Sequence, residues 1–236
     1  MTFSLKRMNA IFQKDWKDLY KNSYILFTLA MPLAFAALLG RIGEGSSTLN
    51  SMPITLALVI AGVFVQAAMI AEEKEKNTLR GLLLSPASTI EIFVGKSALS
   101  AIMTVLVIIG SIILSDYEVV NMPLFAFVII INIVFYISVG TILGLLSRTV
   151  METSIIGMPV MTVFGLVPMF ASMIENKTLV RMIDFLPSER FDAIWIALVT
   201  GKSFGEVGVH VLILAIWAII ALIATFIIYR KQQFDK

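Results

Sequence analysis

The sequence contains no cysteine. That removes disulfides, thiol nucleophiles and Cys-ligated metals from consideration, and it leaves the redox compartment unread. There is one histidine, His210, and no H-E-x-x-H pattern, so no set of metal ligands is visible. Charge is scarce as well: Asp, Glu, Lys and Arg make up 14% of the residues, against roughly 25% in a soluble domain. The net charge of +2 is too small to point to nucleic acid, and the basic residues sit beside apolar runs. Apolar surface is what abounds. Of the 236 residues 58% are hydrophobic, and mean hydropathy is +0.93. An ordinary globular enzyme is excluded, and the class is an all-α polytopic membrane protein.

The apolar residues cluster into six expected transmembrane helices, at about 24–40, 54–71, 97–115, 123–146, 154–174 and 207–229. Each is near the ~20 residues that cross ~30 Å of hydrocarbon. Pro32 interrupts the first, which kinks a membrane helix without abolishing it. Gly157, Pro159, Gly165 and Pro168 predict that the fifth is bent or broken. Ahead of these spans, residues 2–23 carry Leu5, Met8, Phe12, Trp16 and Leu19 at steps of three or four. Lys6, Arg7, Lys14, Lys17 and Lys21 lie mostly on other faces. This pattern predicts an amphipathic helix, carrying Phe12 and Trp16, in the plane of the lipid bilayer interface, with Trp16, Tyr20 and Tyr24 as anchors at headgroup level. Ala34-Phe35-Ala36 has the small-x-small form of a cleavage site. The long, amphipathic and partly acidic stretch before it is wrong for a signal peptide. Residues 175–206 are too long for a turn and too apolar for a solvated loop. Leu179, Met182, Ile183 and Leu186 predict a short helix ended by Pro187. Ser188 as N-cap starts another, with Phe191, Trp195, Leu198 and Val199 on one face. No internal repeat stands out, and residues 1–236 read as one transmembrane domain.

Lys and Arg set the orientation. Of 18, only Arg41, Lys177, Arg181, Arg190 and Lys202 fall on one side. The others flank the opposite side, so both termini are expected in the cytoplasm. Residues 72–96, EEKEKNTLRGLLLSPASTIEIFVGK, then face the cytoplasm as well. Glu72 and Lys76 are spaced for an ion pair on one helix face, and Leu79, Leu82 and Leu83 make a short apolar stripe. Ser85-Pro86 stops that helix, and Ser88-Thr89-Ile90-Glu91 is a capping box that starts the next. The segment reads as a folded elbow, with 175–206 as an external helical hairpin.

Little in the chain suggests catalysis. Gly-Lys-Ser occurs at 95–97 and 201–203, but a phosphate-binding loop needs glycine five residues earlier, where Ile90 and Ile196 stand. No Asp, Glu, Lys or Arg falls at mid-depth in the expected spans, which weighs against proton-coupled transport. The polar groups there include Thr28, Gln66, Asn132, Ser138, Thr141 and Thr162. Each suits an interhelical hydrogen bond, worth about 0.6 kcal/mol on average. Gln66 and Asn132 are the pathway candidates, because an amide is the costliest of these groups to leave unpaired. Met158 and Met161 join them, in a methionine-rich stretch whose flexible thioethers suit varied apolar ligands as well as ordinary packing. Gly140-x-x-x-Gly144 permits close helix approach, inside the subunit or between subunits.

The run Glu73-Lys74-Glu75-Lys76-Asn77-Thr78-Leu79-Arg80-Gly81-Leu82-Leu83-Leu84-Ser85-Pro86, followed by Glu91 and Gly95-Lys96, resembles the membrane subunits of ABC-2 type ABC exporters. In that family a Glu-rich end of the second span leads to a Thr-Leu-x-x-Leu-Leu-x-Ser-Pro-like stretch and a Gly-Lys. Asn77 stands where glycine is usual. Leu186-Pro187 with Asp192-Ala193 is a second, weaker likeness. The resemblance implies a permease subunit that pairs with a second one, a homodimer partner or a paralogue, and docks on a separate cytoplasmic ATPase. Glu72, Glu73, Glu75, Thr78, Leu79, Leu82, Leu83 and Pro86 would form the coupling element, with Arg148 and Glu152 as a lesser contact. ATP and Mg would belong to the partner, and this chain would bind no cofactor and be no enzyme. The setting implied is a prokaryotic cell membrane. The cargo expected is amphipathic peptides or hydrophobic drugs, with cell-envelope glycans or ions as less favoured cargoes. The rival outside the family is an ATPase-independent channel or ion-coupled carrier.

Overall fold

The computed structural model describes residues 4–42, 47–78, 88–201 and 204–234. Among them all regular structure is helical. Helix α1 spans Leu5–Lys21 and α2 Ser23–Ile42. Helix α3, Ser47–Ala57, passes through a π-helical stretch, Leu58–Val65, into α4, Gln66–Glu75. Helices α5 (Thr89–Leu114) and α6 (Met122–Leu146) follow. Next comes α7, Val150–Met161, which changes to π-helix over Thr162–Leu166 and to 3-10 helix over Val167–Met173. Helices α8 (Lys177–Asp184), α9 (Pro187–Val199) and α10 (Phe204–Phe234) complete the chain.

Among the described residues, five helices are long and apolar enough to cross a membrane: Ser23–Gly40, Ser51–Glu75, Glu91–Leu114, Met122–Leu146 and Gly205–Lys231. The stretch expected as the fifth of six spans behaves differently. Its apolar helix, Val150–Leu166, is shorter, and the chain beyond it tightens into 3-10 geometry. Pro159 and Pro168 each lack the N–H that a continuous helix would use there, so the break expected from those prolines is present. Two short helices are present in the stretch expected as a hairpin, with one difference at the second. Pro187 occupies the first helical position, where its missing N–H is harmless, and Leu186 is the cap. Ser188 is therefore not the N-cap, and its hydroxyl is buried inside the fold.

The helix pair α3–α4 is the centre of the bundle and is almost wholly buried, whereas α2 and α10 turn most of their side chains outward. Small residues allow its neighbours to come close. A Cβ on Gly140 would lie 2.5 Å from the Val63 carbonyl oxygen, and one on Gly144 would lie 2.7 Å from that of Ala67. The Gly-x-x-x-Gly pair of α6 is thus consumed within the subunit, against the π-helical stretch and α4. Polar glue lies beside it. The Gln66 amide donates to Thr141 Oγ1 at 3.0 Å and accepts from Ser100 Oγ at 2.6 Å, tying α4 to α6 and α5.

The bundle has two polar ends. At one, α1 meets the end of α4 and the start of α5, and the end of α4 meets the α6–α7 corner. At the other, Tyr117 stacks on Trp195 with centroids 4.4 Å apart, and Phe125 packs against Phe191 and Trp195. These rings seat the second hairpin helix, α9, on the α5–α6 connection. Because backbone oxygens wall in the glycine, Gly140→Ala is expected to cost about 1–3 kcal/mol by overpacking. Gly208→Ala, with open space around it, is the matched control. Thermal unfolding in detergent should show a lower midpoint for the first and an unchanged or slightly raised one for the second.

Candidate functional site

The chain's charges gather at the elbow end. Helix α1 buries Ile11, Asp15 and Leu19, a stripe at four-residue steps. A carboxylate thus takes the middle place of an otherwise apolar contact face. Opposite it stands Lys96, buried near the start of α5, with Nζ 3.3 Å from Asp15 Oδ2 and 2.8 Å from Glu73 Oε1. Lys14 reaches the same Glu73 oxygen at 2.5 Å and flanks Asp18 at 3.5 Å. Burial pushes the Asp15 carboxyl above its ordinary range, and the Lys96 charge pulls it partly back. Three helices are thereby joined through one ionic knot.

A second contact fixes the other end of α1. Arg7 grips Glu91 through both guanidinium edges, at 3.1 and 2.8 Å. The same Glu91 completes the capping box with Ser88 and accepts from the backbone N–H of Ser4. The pairing is the two-point fork that arginine and carboxylate favour. Gly95 makes room for it, since a Cβ there would press on Ile11 at 3.2 Å.

The elbow base also holds the α6–α7 corner. Lys74 donates to the Leu145 carbonyl, an oxygen left over at the end of α6, and Glu75 Oε2 accepts from Val150 N at 3.1 Å, at the start of α7. A cation at a helix C-terminus and an anion at an N-terminus both suit the helix dipoles. Glu152 accepts from Arg148 N at 2.6 Å and donates its own N–H to the Thr149 cap. Glu72 pairs with Lys76 as its spacing predicts, and Asn22 also reaches it at 3.3 Å. Thr78 Oγ1 bonds the Glu73 carbonyl at 3.3 Å. Asn77 turns with φ of 57°, a left-handed conformation that asparagine tolerates better than most residues. A cavity of about 220 Å³ lies between α1 and α4, lined by Lys14, Asp18, Glu72, Glu73, Lys76 and Thr78 among others.

The sequence-predicted residues therefore divide. Glu72, Glu73, Glu75, Thr78, Arg148 and Glu152 come together at one end. Leu79, Leu82, Leu83 and Pro86 lie outside the described residues. The four pathway candidates do not share a surface. Gln66 and Asn132 are fully enclosed, Met161 is partly buried, and Met158 is exposed on α7. Phe12 and Trp16 stack on each other at 6.3 Å, with Trp16 outward. Asp15 and Arg7 are not marked as site residues by the sequence, and Lys96 enters only as part of the Gly95-Lys96 likeness. The signal for Asp15 was its place between Ile11 and Leu19.

A family model described as "ABC-2 family transporter protein" matches residues 43–227. The chain belongs to the ABC-2 transporter family. It is a multi-pass membrane protein of the ABC-2 permease type, and permeases of this family pair with an ATPase subunit. No curated protein matches the chain. The match begins after α1, so the ionic knot joins a segment outside the matched region to the elbow within it. Replacing Lys96 with Met would leave Asp15 and Glu73 buried near each other with Lys14 alone. A loss of about 3–5 kcal/mol is expected. Adding Asp15→Asn should recover part of it, which paired thermal-unfolding midpoints would measure.

Proposed function

We propose that this ABC-2 permease is the membrane subunit of an ATP-driven exporter in which the elbow at 72–96 receives the movement of a separate cytoplasmic ATPase. Two such subunits, identical or paralogous, would enclose the pathway, in a prokaryotic cell membrane with both termini inside. ATP and Mg would be held by the partner, with no catalytic group in this chain. Each subunit would cross six times, with Val150–Met173 as a broken fifth crossing. Helix α1 would lie at the inner interface, since Leu5, Trp16 and Tyr20 stay exposed while its opposite face docks.

The observation that carries this reading is the Lys74–Glu75 contact with the α6–α7 corner, taken with the Glu73–Lys96–Asp15 knot. A push on the elbow meets no slack in either direction. It reaches α1 and α5 through one set of charges and α7 through the other. Helix α7 in turn leads to the π-helical and 3-10 stretch, the kind of helix irregularity often found at functional sites. Amphipathic peptides or hydrophobic drugs are the proposed cargo. The exposed apolar surface of α7, with Ile155 and Met158 outward, is compatible with such molecules in a dimer.

The test is a reconstituted complex of this chain with its nucleotide-binding subunit. Leu79→Asp should abolish co-purification. Glu75→Gln should keep the ATPase bound but reduce transport about tenfold, because a charge-assisted bond to Val150 worth about 1.5–3 kcal/mol is weakened. Substrate movement by the permease alone would overturn the reading.

A further inference from the structure

The opposite end of the bundle contains a carboxyl that the coupling account does not use. Asp192 lies on α9 and is nearly inaccessible, at 9% exposure. Its side chain bonds Ser51 of α3, and its Oδ1 has no partner among the described residues. The groups around it are neutral oxygens. Tyr136 of α6 and Tyr117 of the α5–α6 connection both lie within electrostatic reach of the carboxyl, and Ser188 stands beside Tyr136. Ser188 and Tyr136 are close enough to bond each other, whereas the Tyr117 hydroxyl, Thr55 Oγ1 and Asn132 Oδ1, the last two one helical turn from Ser51 and Tyr136, lack partners among the described residues. Several of these oxygens are hydroxyls that carry their own hydrogen, so what a buried, ionised carboxyl lacks here is a compensating cation.

The charged groups nearby do not supply one. Among the described residues no ion pair reaches Asp192. Arg190, on the same helix, sits over the Phe185 ring and contacts His210 of α10 at 2.9 Å. Glu189, also on α9, repels a second negative charge, and Asp184 of α8 acts on Glu189 in the same sense. Asp116, Glu118 and Glu206 are exposed on the neighbouring connection and on α10. Asp192 lies beyond the first turn of α9, so the positive end of the helix dipole gives it little help. Burial first, and then Glu189, raise the carboxyl to about 7.

We propose that Asp192 is a proton-binding site whose proton seats α9 against α3 and α6, so that losing the proton frees α9 from the end of the bundle opposite the elbow. The protonated carboxyl is a donor, and it can complete one of the orphaned oxygens while Oδ1 or Oδ2 still accepts from Ser51. The ionised form has no proton to give and leaves a buried negative charge with only hydroxyls to solvate it, which favours entry of water or separation from the cluster. A raised acid stabilises the seated state fully below its unseated value near 4, and that stabilisation is lost as pH rises to about 7. Trp195 and Phe191, stacked on Tyr117 and Phe125, move with the same helix. The site therefore makes the seating of the external hairpin proton-dependent. This inference does not depend on ATP drive, cargo or direction of transport.

The test uses the full-length chain in lipid nanodiscs. Infrared spectra should contain a carboxylic C=O band that fades with a midpoint near about pH 7 and is absent from Asp192→Asn. Glu189→Gln should keep the band and move its midpoint downward, which assigns the band even if Asp192→Asn folds poorly. Hydrogen exchange in 187–199, corrected for intrinsic rates, should speed by about tenfold per pH unit between about pH 5 and pH 7, then level off. In Asp192→Asn it should stay flat. The proposal fails if no such band exists at any pH, if the band persists far above neutrality, or if Asp192→Asn keeps the pH-dependent exchange.

Discussion

The buried ammonium of Lys96, held between Glu73 and Asp15, is the constraint on which the elbow end depends. Removing three or four charges from water is costly, and a buried ion pair is weak support for stability as such. Its effect is on position. Ile11 and Leu19 would pack against an apolar groove at several registers, one helical turn apart. Asp15 between them accepts only the register that brings it to Lys96. The Arg7–Glu91 fork then fixes the helix at a second point and so sets its angle. An amphipathic segment becomes a fixed part of the bundle.

From that knot the rest follows outward along α3–α4. In a membrane, apolar side chains gain little by meeting each other rather than lipid, so helix contacts rely on close backbone approach and polar pairing. Gly140 and Gly144 supply the first, and Gln66 with Ser100 and Thr141 supplies the second. The π-helical stretch at Leu58–Val65 faces the one at Thr162–Leu166, where Gly165 approaches Val59. Phe164 there packs edge-on against Phe135, Tyr136 and Trp217. Two irregular helices are thus in contact between the elbow and the hairpin.

What could be read from the chain was what is decided locally. The capping box at Ser88–Glu91, the ion pair of Glu72 with Lys76 and the prolines that break 154–174 act over a few residues, and each stands in the structure. The two-helix character of 175–206 was legible for the same reason, although the cap moved from Ser188 to Leu186 because Pro187 fits the first helical position. The apolar stripe of α1 was only half right. Leu19 turns inward while Leu5 and Trp16 stay out, since the docking face is the one that carries Asp15. Asp15 is marked by no motif, and Asp192 enters only through the Asp192-Ala193 likeness, which says nothing of its burial. Their partners lie in distant parts of the chain, and nothing in the spacing of one helix shows which face of another will meet it.

The central claim is that α1, the elbow base and α5 move as one body. The chain has no native cysteine, so spin labels can be placed at Lys6→Cys on α1 and Ile102→Cys on α5, both exposed positions. Distances between them should be measured by electron double resonance in the complex with its ATPase, without nucleotide and with ATP trapped. The account predicts the same distance between α1 and α5 in both states. A shift of α1 relative to α5 on ATP binding would contradict it.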